Sequence, residues 1–391
     1  MNHKITEKQI QATIFMFWMG SMVVVGINPQ AKQDSWIAGL FAGIMMLPLL
    51  FLYIRLTSLY PGKNLFEILT QIFGKVFGRI LILIYVVFSI QLGGITLKIF
   101  STFVHILNMP ETPEPAILFF IILLSVWAVK SGPENIGRMS KYTFPILLIS
   151  VAATFIIGAR DMDTSNLKPI MNTDLKTLLG SAFSLCILPL GEVFLCLSFF
   201  SALEPQAKPS RFFFKALIMT LAILITVNLR NILILGFPSA SMFYFPSYET
   251  VSIISIGDFF SRTEVLIGIN LMLAGFIKVA VCLYSSSLGL AKLLNAADQK
   301  LYCRSLRSAY GYPGRHALRK HGGMEGLGAN VRDLRDPLPD HVPHSHSDRR
   351  GDKSKSGTPK DKKSPRCKQQ SGGILKIFIL RRLPVSAPSS R

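Results

Sequence analysis

The chain has 391 residues, half of them hydrophobic and 16% charged, whereas a soluble protein carries about a quarter of its residues charged. The formal net charge of +20 divides unevenly: residues 1–300 hold 22 Lys and Arg against 15 Asp and Glu, and the last 91 residues hold 20 against 7. These figures exclude an ordinary soluble multidomain protein for the first 300 residues, and they assign two-thirds of the basic excess to a tail.

Long apolar segments follow one another through the main body, with cores at 10–29, 35–54, 80–104, 115–130, 142–159, 177–202, 212–236 and 265–291. Most reach the roughly 20 residues needed to cross a bilayer. Backbone polar groups in lipid must be satisfied internally, so the segments are predicted as helices. The fourth is the shortest. The first follows a short basic start but is too long for a signal-peptide core, so no cleavage is predicted. The expected fold class is an all-α polytopic membrane protein with eight spans in residues 1–300.

Lys and Arg in the connections give an orientation. With the N-terminus cytoplasmic, the inner loops carry Arg55, Lys63, Lys75, Arg79, Lys130, Arg138, Lys141, Lys208, Arg211 and Lys215. The outer loops carry Lys32, Arg160, Lys168, Lys176 and Arg262, together with several acids. This asymmetry predicts a cytoplasmic N-terminus and a cytoplasmic C-terminal tail.

Soluble-enzyme chemistry leaves no trace. Cys186, Cys196 and Cys282 lie inside spans, and no CxxC or paired-His spacing points to zinc or redox work. His341, His344 and His346 in the tail specify a metal site only weakly. No phosphate loop, nucleophile–base pair or paired catalytic carboxylates is visible, so no enzyme, metal or cofactor is predicted. The basic tail lacks aromatic interleaving and any nucleic-acid-binding signature, so no nucleic-acid partner is predicted either.

The informative stretch is "LCILPLGEVFLCLSFF", residues 185–200, where Glu192 interrupts an otherwise apolar run. A charge at mid-membrane depth costs about 2.5–3.5 kcal/mol on insertion scales, and such acids commonly mark a substrate or ion path. The alternative is a structural acid that joins two helices. Pro189 removes a backbone donor, and Gly191 lets the chain leave helical geometry. Gly26, Asn28 and Pro29 interrupt the first span in "VVVGINPQAKQD". Paired interruptions in the leading helix of each half predict a secondary-transporter fold, a five-plus-five inverted repeat with broken helices 1 and 6 that bind substrate near the midplane. Two ordinary proline kinks are the competing interpretation. Gly26, Asn28, Pro29, Pro189, Gly191 and Glu192 are the candidate substrate-binding residues.

Other polar residues fall at membrane depth: Gln91, Lys98, Asn228, Arg230, Asn231, Asn270 and Lys278. Lys98 and Arg230 lie toward span ends, where long side chains snorkel. Lys278 is deeper and needs a carboxylate or carbonyls, and Glu192 is the acid at comparable depth. The pair Glu192–Lys278 is therefore a candidate ion-pair or coupling site.

On "AKQDSWIAGLFAG" at 31–43, "YPGKNLFEI" at 60–68, "PLGEVF" at 189–194, "FPSYETVSIISIGDFFSRTEVL" at 245–266 and "FIKVAVCLYSSSLGLAKL" at 276–293, the chain resembles the membrane-embedded B subunit of bacterial endospore germinant receptors. That family is a branch of the amino acid–polyamine–organocation transporter superfamily. The resemblance implies A-type and C-type partner subunits in the spore inner membrane, or a place in the cell membrane. It also implies recognition of a small germinant (amino acid, sugar or nucleoside). A proton- or cation-coupled amino acid transporter is the alternative within the same scaffold.

Family members have ten spans, whereas here "DQKLYCRSLRSAYGYPGRHALRKHGG" follows the eighth. Arg, His, Gly and Pro rise abruptly without periodicity. Residues 301–391 are therefore expected to be a basic, low-complexity, disordered tail produced by a change of reading frame near residue 300. A lineage-specific tail is the alternative.

Overall fold

The computed structural model describes residues 4–26, 29–106, 113–254 and 264–295. Asn28 and the whole tail of residues 301–391 lie outside the described residues, as does most of "ISIGDFFSR". Among the described residues there is no β-strand, and the one strand-like contact is a bridge between Ile5 and Leu203.

The described residues form the helices α1 (Glu7–Val25), α2 (Ser35–Leu59), α3 (Leu65–Ile106), α4 (Glu114–Lys130), α5 (Pro133–Gly158), α6 (Leu175–Leu185), α7 (Pro209–Leu235), α8 (Phe237–Ala240), α9 (Pro246–Ile253) and α10 (Val265–Leu293). Among the described residues the predicted apolar cores fall on helix, apart from the break in the sixth at Leu188. Among the described residues six segments are long and apolar enough to cross a bilayer: Gln30–Leu59, Leu65–His105, Pro133–Asp161, Leu175–Ala202, Pro209–Leu235 and Val265–Leu293. The chain is an all-α, multi-pass membrane protein. The remaining two cores are helical but shorter or more polar: α4 has 17 residues, and α1 opens on Glu7, Lys8, Gln9 and Gln11.

Local chemistry sets the helix ends. Thr6 and Gln9 form a reciprocal capping box at the start of α1, and Asn64 and Glu67 do the same at α3 with both bonds at 3.0 Å. α3 contains a kink at Gly74, whose φ of 74° is open to glycine and costly for other residues. Leu65–Phe73 therefore forms a separate short arm, and the predicted core at 80–104 lies beyond the bend.

The buried face of α2 runs through Ser35, Ala38, Gly39, Ala42, Gly43, Met46, Leu50, Tyr53 and Thr57, the spacing of one helical stripe. Its small residues admit α7 closely, and a Cβ on Gly43 would collide with Leu221. α10 is different. Every residue from Ala274 to Ser287 is buried, which marks it as the central helix of the bundle, in contact with α1, α3, α4 and α5. Large side chains on the outer side of α3 and α4 (Val76, Phe77, Leu83, Phe120 and Trp127 among them) are exposed. Such a surface suits contact with lipid chains.

The sixth span is discontinuous. After α6 the chain passes through an irregular turn, Cys186–Leu190, in which Leu188 is extended (φ −131°, ψ 112°). It then continues as a tighter 3-10 helix, Gly191–Ala202. Such a long 3-10 segment is uncommon and typical of hinges or of sequences under strain. The N–H of Ile5 donates to Ala202 and that of Glu204 to Ile5, at 2.8 and 3.1 Å. The start of α1 and the end of the sixth span thus meet at one end of the bundle.

In the first span the interruption lies at the helix end and not within it. α1 runs unbroken to Gly26, which caps it with φ 77°. A 3-10 turn, Pro29–Asp34, then leads directly into α2.

Candidate functional site

The break in the sixth span leaves backbone groups that need partners in a medium without water. The N–H of Gly191 donates to the Cys186 carbonyl across the turn. Trp18 on α1 donates its indole N–H to the Leu190 carbonyl at 2.9 Å. Pro189 brings no N–H to satisfy. Gly191 has room for little else, since a Cβ there would lie 3.1 Å from the Cys186 oxygen. Glu192 follows as the first acid of the 3-10 segment.

Glu192 is 5% exposed and Lys278 on α10 is 1% exposed. Lys278 Nζ donates to Glu192 Oε2 at 2.8 Å. The ammonium also stands 5.3 Å from the centre of the Phe17 ring, a cation–π distance. The lysine stem passes directly over Gly20 of α1: a Cβ there would sit 2.7 Å from Lys278 Cβ and 2.9 Å from its Cδ. Three elements therefore converge on one buried ion pair: α1 through Trp18, Phe17 and Gly20, the broken sixth span through Leu190 and Glu192, and α10 through Lys278. Removing either partner of such a pair leaves the other charge stranded, so the pair fastens α10 to the sixth span.

A second polar cluster lies further along α1. Gly26 is six residues beyond Gly20, or about 9 Å at the helical rise. It lines a cavity of ≈ 30 Å³ together with Lys32, Ser35, Asn228, Asn231, Ile232 and Pro246 among others. Asn228 donates to Ser35 Oγ at 2.7 Å. Arg230 is 1% exposed and donates to Thr154 Oγ1 at 2.7 Å and to Asn231 Oδ1 at 2.8 and 3.2 Å. Asn231 in turn donates to Ser247 at 3.0 Å. The expectation that Arg230 snorkels outward is thus corrected, because α5 and α9 cover that end of α7 and the guanidinium bonds inside. Lys98 is about one-third exposed and pairs with Glu114 at 2.8 Å.

Asp34 joins the two leading segments. Its carboxylate accepts from the N–H groups of Met171 and Thr173 at 2.8 and 2.9 Å. Thr173 Oγ1 donates to the Ala31 carbonyl, and Gln33 donates to the Pro169 carbonyl, both at 3.0 Å. The turn after α1 is in this way fastened to the loop before α6. In the same loop, hydrogen bonds from the Ser165 hydroxyl and N–H hold the exposed Asp163 carboxyl below its ordinary range. On α9, burial pushes the Glu249 carboxyl up.

The candidate residues therefore fall into two groups. Pro189, Gly191, Glu192 and Lys278 surround the buried pair, whereas Gly26 lines the separate cavity. Pro29 opens the turn that Asp34 closes. Trp18, Gly20, Asp34 and Ser35 were not among the candidates on sequence; Gly20 and Ser35 belong to the small-residue pattern of helix contacts, and Trp18 carries no signal apart from the break it serves.

Residues 4–307 match the family described as Spore germination protein. The chain belongs to the spore germination protein family. Among curated relatives, "Spore germination protein KB" of Bacillus subtilis (strain 168) is 25% identical over 294 residues, covering 74% of this chain and 79% of the relative. "Putative spore germination protein YfkT" of the same organism is 24% identical over 271 residues, covering 69% and 74%. "Spore germination protein XB" of Bacillus anthracis is 22% identical over 270 residues, covering 67% and 73%. Both polar clusters lie within the residues that match this spore germination family.

Proposed function

We propose that this chain is the membrane-embedded subunit of a spore germinant receptor, which recognises a small germinant (an amino acid, sugar or nucleoside) and triggers germination. Its scaffold is a transporter fold of the five-plus-five inverted-repeat type, with residues 1–300 as the membrane domain and the N-terminus and tail cytoplasmic. It works with A-type and C-type subunits in the spore inner membrane.

The observation that carries this reading is the Glu192–Lys278 pair placed immediately after a helix break, in a chain of the spore germination family. Intramembrane ions that join separate helices are characteristic of substrate or ion paths. Germinant binding at Pro189, Gly191 and Glu192 would shift the pair and so move α10 relative to the sixth span, with Gly26, Asn28 and Pro29 at the end of the first span as a second set of binding residues. The test is deletion of the gene in its spore-forming host, with germination scored against single amino acids, sugars and nucleosides. The response to one compound should be lost, and it should return with the wild-type gene but not with Glu192→Gln. An unchanged response to every compound would defeat the proposal.

A second reading, a proton- or cation-coupled amino acid transporter, rests on the same buried carboxylate acting as the coupling group. Saturable, gradient-dependent uptake of an amino acid into vesicles containing this chain would favour it over signalling alone.

A further inference from the structure

The cavity beyond the end of α1 is unlike the buried pair, because a lysine lines it beside two amides and two hydroxyls. Lys32, an exposed residue, is among those that line it. Among the described residues Lys32 makes no ion pair, and its backbone is held at φ 49°, a conformation that costs free energy in a non-glycine residue. An amide side chain has two N–H groups. Asn228 and Asn231 each give one, to Ser35 and to Ser247, and each carries a second. Ser35 Oγ accepts from Asn228 and keeps its own O–H to donate.

The charge behind this wall is also positive. Arg230 bonds to Asn231 Oδ1 through both Nε and Nη2, and among the described residues no carboxylate pairs with it. Among the described residues no acid lines the cavity. Ile232, Phe237, Ala240 and Pro246 supply an apolar flank beside the donors. The volume of ≈ 30 Å³ admits about two water-sized groups, which is the size of a carboxylate and not of a whole amino acid or sugar.

We infer that this cavity is an anion subsite for the carboxylate of a small organic acid or amino acid, held by Lys32, Ser35, Asn228 and Asn231. The carbon skeleton lies along the Phe237–Pro246 side. The subsite is separate from the Glu192–Lys278 pair. It deepens the receptor reading by naming a carboxylate as the recognised group, and it rests on that reading only for its physiological ligand.

The test uses the full chain in lipid nanodiscs, followed by tryptophan fluorescence, with Trp36 next to Ser35 in the chain. Sodium acetate and glycine are the probes; acetamide and sodium chloride at matched ionic strength are the comparisons. Acetate and glycine should give saturable changes that acetamide and chloride do not. Lys32→Gln, on an exposed side chain, should raise the acetate Kd about tenfold, the effect of losing one charge-assisted hydrogen bond. Ser35→Ala should raise it less. No saturable response to acetate, an equal response to acetamide or to chloride, or an unchanged Kd in Lys32→Gln would each overturn the inference. Because the titration requires no germination response, its failure and the failure of the receptor reading are distinguishable.

Discussion

Lys278 of α10 and Glu192 of the broken sixth span hold each other at 2.8 Å, with side chains 2% and 6% exposed. Each charge is tolerable only because the other is there. Lys278→Met alone strands a carboxylate, Glu192→Gln alone strands an ammonium, and breaking a buried pair in this way costs about 3–5 kcal/mol. Both single variants should lower protein abundance in the membrane. The double variant should recover most of it, because neither charge remains, yet it should stay unresponsive to germinant. Quantitative blots and a double-mutant cycle on thermal melting measure the coupling; strict additivity would show that the two residues act separately.

Gly20 is the reason the lysine stem can cross α1. An added Cβ would meet Lys278 at 2.7 Å, whereas a Cβ on Gly180 would meet nothing within 4 Å. Gly20→Ala should therefore destabilise by about 1–3 kcal/mol through overpacking. Gly180→Ala should be neutral or stabilising by about 0.5–1 kcal/mol, because glycine is a poor helix residue. Melting temperatures of the two variants, purified in the same detergent, compare them directly. Equal effects would mean that α1 and α10 are not in close contact at Gly20.

The sequence displayed the helices because lipid demands long apolar runs, and Glu192 stood out because a carboxylate in such a run needs a reason. Pro189 and Gly191 marked the break for the same cause: they are the residues that cannot continue a helix quietly. What composition could not display was tertiary cover. Arg230 near a span end is indistinguishable on sequence from a snorkelling anchor, and it is the fold of α9 over α7, with Ser247 against Asn231, that encloses it. Gly74 lies outside the apolar core, so the kink in α3 had no hydropathy signature. The Asp34 contacts connect residues more than 130 positions apart, which local pattern does not encode.

Asp34 is 1% exposed and satisfies two loop N–H groups at once. Asp34→Ala leaves the Met171 and Thr173 N–H groups without their acceptor, at about 1–3 kcal/mol for each one that stays buried. Asp34→Asn retains one oxygen and turns an NH2 toward a donor, so it should be intermediate. The readout is limited proteolysis of membranes: cleavage in the loop at 162–174 should rise in the order wild type, Asn, Ala. Identical cleavage in all three would show that the loop is held by other contacts.

The composition break near residue 300 predicts something outside the protein. If the frame changed there, the coding DNA downstream should encode two apolar, span-length segments in another frame. Resequencing the locus and translating all frames decides it. Their absence would leave a genuine basic tail of net charge +13.

Arg230 carries the last prediction, and its geometry separates charge from shape. The guanidinium reaches Asn231 Oδ1 with two nitrogens and Thr154 with a third, so it fastens α5 to α7, and through Asn231 it fixes Ser247 on α9. Lysine keeps the charge but offers one ammonium on a flexible stem, and cannot reproduce that fork. Arg230→Lys should therefore lose stability by about 1.5–3 kcal/mol, the range for hydrogen bonds to a charged group. Arg230→Met removes the buried charge as well, so its desolvation cost disappears and its stability should fall less than the lost bonds suggest. The diagnostic measurement is hydrogen exchange over Pro246–Ile253. Both variants should speed exchange there, because Asn231 loses its orientation in each. If Arg230→Lys exchanges at the wild-type rate, the fork does not hold α9 and charge alone accounts for the conformation of this end of the bundle.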